Sequence, residues 1–239
     1  MAEGSSHPGA EHRRPRRSSV TYAVRSALAS WLSEEAERAA SDLGPYRLLD
    51  VGCGIKPYYP FFQPYARAFV GVDVDNPAAD LVGAVEALPV PDESFDLVLC
   101  TQVLEHAPDP DRAVQELWRV TAPGGRVLAS THGVQVYHPS PEDYWRFTHA
   151  WLELLFRRNG QWRALAVRPA GGTATCLAAL VAIYADLLWR RLGLVFLARA
   201  SVFALNLLGP ALDRLIPSLR RPGPGTLFLN YHLVADKPA

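Results

Sequence analysis

Apolar positions along the chain change period as it is read from the N-terminus. Between residues 20 and 43 they recur at helical spacing, at Val24, Leu28, Trp31, Leu32, Ala36, Ala39 and Leu43, and Gly44-Pro45 ends the run. Short β-like runs follow at 47–51, 68–72, 95–100 and 126–131, separated by helical stretches of which 109–120 is the clearest. Strands alternating with helices predict a parallel sheet covered on both faces and joined by right-handed crossovers. Beyond a loop heavy in His, Pro and aromatic residues, the pattern predicts a helix at 149–158, a strand near 162–167 and a last strand at 227–235. Residues 172–219 interrupt this rhythm with an unusually apolar region of helical texture.

Composition narrows the class. At 239 residues, with 49% hydrophobic and 20% charged positions, the chain suits one domain with an appended element and a large core. A net charge of +0 argues against a protein that grips phosphate backbones, so no nucleic-acid partner is expected. Three cysteines without a C-x-x-C pair offer neither a disulfide framework nor zinc spacing. With no apolar h-region at the N-terminus, the expectation is a cytoplasmic protein, peripheral to the membrane if the apolar region meets lipid. Residues 1–19, polar and carrying Arg13, Arg14, Arg16 and Arg17, read as a disordered basic tail.

The strongest chemical signal is Leu48-Leu49-Asp50-Val51-Gly52-Cys53-Gly54, an apolar strand running into a glycine turn where a ligand can approach the backbone. A dinucleotide fingerprint would place a third glycine where Pro57 stands, which speaks against an NAD-dependent oxidoreductase. Val70-Gly71-Val72-Asp73 puts a carboxylate at the end of the second strand, where such folds bind ribose hydroxyls; the alternative is that Asp73 merely starts a turn.

Together with 87–98 (ALPVPDESFDLV), 104–109 (LEHAPD) and 119–128 (RVTAPGGRVL), this segment resembles the class I S-adenosylmethionine-dependent methyltransferases in motif order and spacing, over about a third of the chain. The resemblance implies an α/β, Rossmann-like, seven-stranded mostly parallel sheet with helices on both faces and a helical insertion before the last strand. It implies that S-adenosyl-L-methionine is the cofactor, with Asp50, Gly52 and Gly54 around its methionine part and Asp73 on the ribose. Backbone at Ala87 and Leu88 would border the adenine, and Thr101 would face the sulfonium. Two positions depart from the family: Lys56 replaces the third glycine of G-x-G-x-G, and Ala84 stands where relatives often carry an acid that bonds the adenine amino group. Losing that bond would cost about 1 kcal/mol of cofactor affinity.

A sulfonium methyl is already activated, so a base is needed mainly for a hydroxyl acceptor. His106, His132 and His138 are candidates, and His106, just past the fourth strand, is preferred; its alternative role is to pack the next helix. The loop segment 137–148 (YHPSPEDYWRFT) resembles a methyltransferase subgroup linked to glycan or cell-envelope biosynthesis. Tyr144 and Arg146 would then face a polar, ring-containing acceptor, or else clamp the loop through Asp143 or Glu142. No i, i+4 His pair occurs, so no metal site is expected. The domain reading is a tail at 1–19, an α/β core at 20–171, an apolar helical insertion at 172–220 and the final strand with C-terminal tail at 221–239. The function expected is methyl transfer to a small or medium polar acceptor, glycan- or lipid-linked, at oxygen; a catalytically silent binding protein on the same fold is the alternative. The insertion has three readings open: a homodimer surface, membrane-surface attachment, or a lid over a lipid-like acceptor.

Overall fold

The computed structural model describes residues 7–139 and 142–239. Seven strands form one sheet: β1 (Tyr46–Val51), β2 (Ala66–Asp73), β3 (Leu81–Val82), β4 (Phe95–Thr101), β5 (Thr121–His132), β6 (Ala164–Ala170) and β7 (Asn230–Asp236). Their spatial order is β3-β2-β1-β4-β5-β7-β6. The first five run parallel, and β7 is inserted antiparallel between β5 and β6.

Alternation along the strands fills both faces. Leu49, Val51, Val98 and Cys100 pack with α4 (Pro110–Val120) and α5 (His149–Arg158), while Leu48, Leu97, Leu99 and Leu128 pack with α2 (Tyr22–Leu43). A helix on each side is what a parallel sheet without a solvated face requires. The helix ends follow local chemistry. The Asp109 carboxylate accepts from Arg112 N at 3.0 Å with Pro110 in the first turn, and Thr148 Oγ1 accepts from Trp151 N at 3.2 Å.

The segment between β6 and β7 is a helical hairpin, α6 (Thr173–Arg191) and α7 (Val195–Leu215). Its base is fixed by buried Asp213, which accepts from Ala174 N, Thr175 N and Thr175 Oγ1 and so caps α6.

Two expectations need correcting. The basic tail is ordered from His7 onward, while residues 1–6 lie outside the described residues. Ala10–Arg13 form a short helix, α1, and Asn206 Nδ2 donates to the carbonyls of Arg17 and Ser19 at 2.8 and 3.0 Å. These polar groups are held by specific hydrogen bonds, which composition does not register. The last strand begins at Asn230 rather than Leu227, because residues 221–229 still cross from the hairpin. Edge strand β3 is only two residues long and gives no periodic signal; α3 (Tyr59–Phe62) is a single turn, as the prolines around it require.

Candidate active site

The turn leaving β1 is held by Gly52 N and Cys53 N, which donate to Val72 O at 2.8 and 3.1 Å. Gly52 has φ 66°, and a Cβ there would lie 2.3 Å from Val103 Cγ2, so only glycine fits. Gly54 (φ 49°) faces open space, and its N–H donates to Asp73 Oδ2 at 2.9 Å. The first and second strands are thus joined by the acid expected to take the ribose. Lys56, at the place of the missing glycine, adopts φ 52° and keeps the turn with a side chain present. Its ammonium reaches Asp80 Oδ1 at 2.7 Å, and Asp80 Oδ2 accepts from Gly71 N at 2.7 Å.

Two cavities open at the carboxyl ends of the strands, one on each side of a ridge made by Gly52 and Gln102, which line both. The first, about 610 Å³, contains Asp50, Gly54, Thr101, His132 and His138. The second, about 660 Å³, contains Asp73, Gly83, Ala84, Glu86, His106 and Tyr144. Crevices at this end of an open α/β sheet, beside the strand-order reversal at β1 and β4, are where such folds bind ligands.

Burial pushes the Asp50 carboxyl up to about 7, opposed by the Lys56 charge and reinforced by Asp73. A buried acid with this bias fits a ligand ammonium, and open Gly54 beside it leaves room for the ligand backbone. Asp50, Gly52, Gly54, Asp73 and Thr101 therefore lie around the two cavities as the sequence implied. Ala87 and Leu88 do not. Leu88 is buried, its N–H donates to Glu116 Oε2 at 2.9 Å and its carbonyl accepts from Arg119 Nη2 at 3.0 Å, so this backbone faces α4. The wall of the second cavity is instead the preceding stretch, Gly83 to Glu86.

The loop after β5 folds back over this rim; its Ser140 and Pro141 lie outside the described residues. Glu105 anchors it, its carbonyl accepting from Tyr144 N at 2.9 Å and Trp145 N at 3.2 Å. The Glu105 side chain is fully buried, accepts from Thr131 Oγ1 at 2.8 Å and stands 3.2 Å from His132 Nε2. Burial pushes this carboxyl up to about 7 and the His132 imidazole down to about 3.

Arg146 is not available to an acceptor. Its Nη1 and Nη2 donate to both oxygens of Asp143, its Nε to Gln135 O at 3.1 Å and its Nη2 also to Val136 O at 3.0 Å. The guanidinium is a clamp that closes the loop and holds the Asp143 carboxyl well below the usual carboxylate range. Tyr144, half exposed, borders the second cavity with His106, whose Nδ1 is engaged by Glu142 O. His106 thus faces the Asp73 side of the ridge. His138 faces the Asp50 side: its Nδ1 lies 3.1 Å from Val136 O and 3.3 Å from Asp143 Oδ2, and its ring packs edge-on against His106 and His132 at 5.3 and 4.9 Å between centroids.

Sequence reasoning missed Gln102, which takes a left-handed φ of 58° and donates from Nε2 to Ser130 Oγ at 2.9 Å. No residue-type signal marks a strained glutamine. It also missed His12 and Tyr58, which wall the first cavity; only contacts distant in sequence bring them there.

A methyltransferase domain model matches residues 49–129. The uncharacterized methyltransferase YcgJ of Bacillus subtilis (strain 168) is 32% identical over 114 residues, covering 41% of this chain and 43% of YcgJ. The YcgJ crystal structure superposes with a TM-score of 0.51 at 19% identity, over 87% of this chain and 98% of that one. A probable S-adenosylmethionine-dependent methyltransferase of Mycolicibacterium smegmatis is 34% identical over 103 residues, 38% of this chain and 40% of the relative. A putative sarcosine dimethylglycine methyltransferase from Galdieria sulphuraria gives a TM-score of 0.55 at 16% identity, covering 90% and 86% of the two chains. The matched region spans about two fifths of the length of these curated relatives. The chain thus has the seven-stranded, Rossmann-like fold of its methyltransferase neighbours, and residues 49–129, which carry the strand-end crevice, match a methyltransferase domain model.

Proposed function

We propose that the chain transfers a methyl group from S-adenosyl-L-methionine to an oxygen of a small or medium polar acceptor. When bound, the cofactor supplies an electrophilic methyl on a sulfonium. Asp73 holds the ribose hydroxyls, Asp50 the amino-acid ammonium, and the open backbone at Gly54 the tail between them. The observation that carries the reading is the pair of cavities meeting at Gly52 and Gln102, one with the ribose-type acid and the other with Asp50, His132 and His138. A donor lying across that ridge has room for an acceptor beside His138.

The sequence favoured His106 as base; the geometry supports His138 better. His138 Nδ1 is oriented by Val136 O and the Asp143 carboxylate, and Asp143 is in turn gripped by Arg146. This leaves Nε2 to accept the acceptor's hydroxyl proton, the arrangement of a base oriented by a third group. Arg146 and Asp143 act as positioning residues.

Calorimetry with S-adenosylhomocysteine tests the cofactor assignment, and absence of binding would favour a silent fold. For the base, His138→Ala is expected to lower turnover of a hydroxyl acceptor by about 10²-fold or more with S-adenosylhomocysteine affinity unchanged. Full turnover of that variant with saturating donor and acceptor would return the assignment to His106.

A further inference from the structure

We propose that the α6–α7 hairpin docks on an anionic lipid bilayer, seating the first cavity at the membrane surface. Each helix contains a stretch long and apolar enough to cross a bilayer, yet only 22% of either stretch is buried. The outward residues are large and lie on more than one side: Leu177, Val181 and Leu188 on α6, Phe203 and Leu207 on α7, and Phe196 at the tip, 80% exposed. An apolar surface of this extent is rarely left uncovered on a soluble monomer. A two-fold dimer would bury one self-complementary face. Here both helices and the connecting turn are apolar outward, which suits a continuous lipid phase better than one protein face.

Charge points the same way. Residues 173–221 contain six arginines (Arg190, Arg191, Arg199, Arg214, Arg220 and Arg221) and no lysine or glutamate. The two acids there are both occupied: Asp213 is buried at the hairpin base, and Asp186 accepts from Arg190 Nε at 2.6 Å. The exposed charge is therefore cationic, and it flanks the apolar face at its ends, the pattern that draws a surface helix to anionic headgroups. The arginines also weigh against a spanning hairpin, since Arg190 and Arg191 sit next to the tip and would enter the hydrocarbon. Each helix lies instead along the interface, α7 presenting about 30 Å of length.

The hairpin is part of the candidate site. Ile183 of α6 and Leu229, packed behind Cys176 and Ala179, contribute to the wall of the cavity that holds His138. Docking this surface places the mouth of that cavity at the headgroup level.

The test is flotation of the full chain with phosphatidylcholine vesicles, with and without about a third phosphatidylglycerol, alongside light scattering for oligomeric state. The chain is expected to float with the anionic vesicles, less with the neutral ones, and to lose anionic flotation when salt is raised. A Phe203→Glu/Leu207→Glu double variant should stay with the unbound fraction, while calorimetry with S-adenosylhomocysteine reports that its core is folded. Arg220→Glu/Arg221→Glu should weaken flotation selectively on anionic vesicles. A chain that stays unbound to both vesicle types, and that scatters as a dimer converted to monomer by the double variant, would overturn the proposal in favour of a second copy. Flotation needs no turnover, so a chain that floats but binds no S-adenosylhomocysteine would refute the proposed activity and leave the membrane surface standing.

Discussion

If Asp50 takes the ligand ammonium as proposed, its burial should make cofactor affinity a function of pH. Its carboxyl sits near 7 in the ligand-free protein because burial penalises the charge. Pairing with a ligand ammonium requires the ionised form, so binding below pH 7 must first expel a proton. Near pH 8 about nine tenths of the molecules carry the carboxylate; near pH 6 about one tenth do. The dissociation constant for S-adenosylhomocysteine should therefore weaken about tenfold from pH 8 to pH 6, on the order of 1.4 kcal/mol. Stability runs the other way. A carboxyl whose folded pKa lies above its unfolded value holds its proton longer in the native state, so stability falls as pH rises from about 4 to about 7. Three units of displacement correspond to a cost on the order of 4 kcal/mol above pH 7. Asp50→Asn should remove that cost, raising the apo melting temperature near pH 8, while it weakens binding and flattens its pH dependence. Calorimetry at pH 6, 7 and 8 in two buffers of different protonation enthalpy reads the proton release directly. An equal affinity at pH 6 and pH 8, or an Asn variant with the same slope as the parent, would refute the reasoning.

Other substitutions probe the same crevice. Gly52→Ala must both hold φ 66° and push Val103 aside, so it should cost about 1–3 kcal/mol in denaturant unfolding and abolish S-adenosylhomocysteine binding. Asp73→Ala removes a charged acceptor from Gly54 N and from the ribose; a loss of about 10- to 100-fold in affinity is expected by calorimetry, and an unchanged value would mean that Asp73 only shapes the turn. Lys56→Gly relieves the left-handed backbone but loses the Asp80 pair, half exposed on the acid's side, whereas Lys56→Ala loses the pair and keeps the strain. The Gly variant should be the more stable of the two by about 1 kcal/mol or more in urea melts. Asp143→Asn, which slackens the Arg146 clamp and the hold on His138, should lower kcat for a hydroxyl acceptor more than it raises KM, and shift the acid limb of the kcat–pH profile.

Much of the fold was visible in the chain because burial on both faces of a parallel sheet leaves a strong trace. The runs at Leu48–Leu49 and Leu97–Cys100 feed opposite faces residue by residue, and the amphipathic helix after Asp109 has a start signal in Asp109-Pro110. Site residues at strand ends were legible for the same reason, since Asp50 and Asp73 are positioned by β1 and β2 themselves. What sequence missed depends on contacts across distance. Leu88 turns toward α4 because Glu116, a helix residue, accepts from its N–H, while Ala87 N donates back to Ala84 O. Sequence left Arg146 open between an acceptor contact and a clamp on Asp143 or Glu142, and only the folded loop, where Asp143, Gln135 and Val136 fill its donors, decides for the clamp and orients His138. Residues 7–19 looked solvated because arginine content says nothing of which carbonyls the segment finds.

That N-terminal stretch has a mechanical consequence. It is tied at one end to the cofactor turn, His7 Nε2 meeting Lys56 O at 2.8 Å, and at the other to mid-α7 through Asn206. Between the two ties it lends His12 to the wall beside Asp50. Any tilt of α7 must therefore either stretch this short tether or drag the wall along, so whatever settles on the hairpin is felt where the methionine tail would lie.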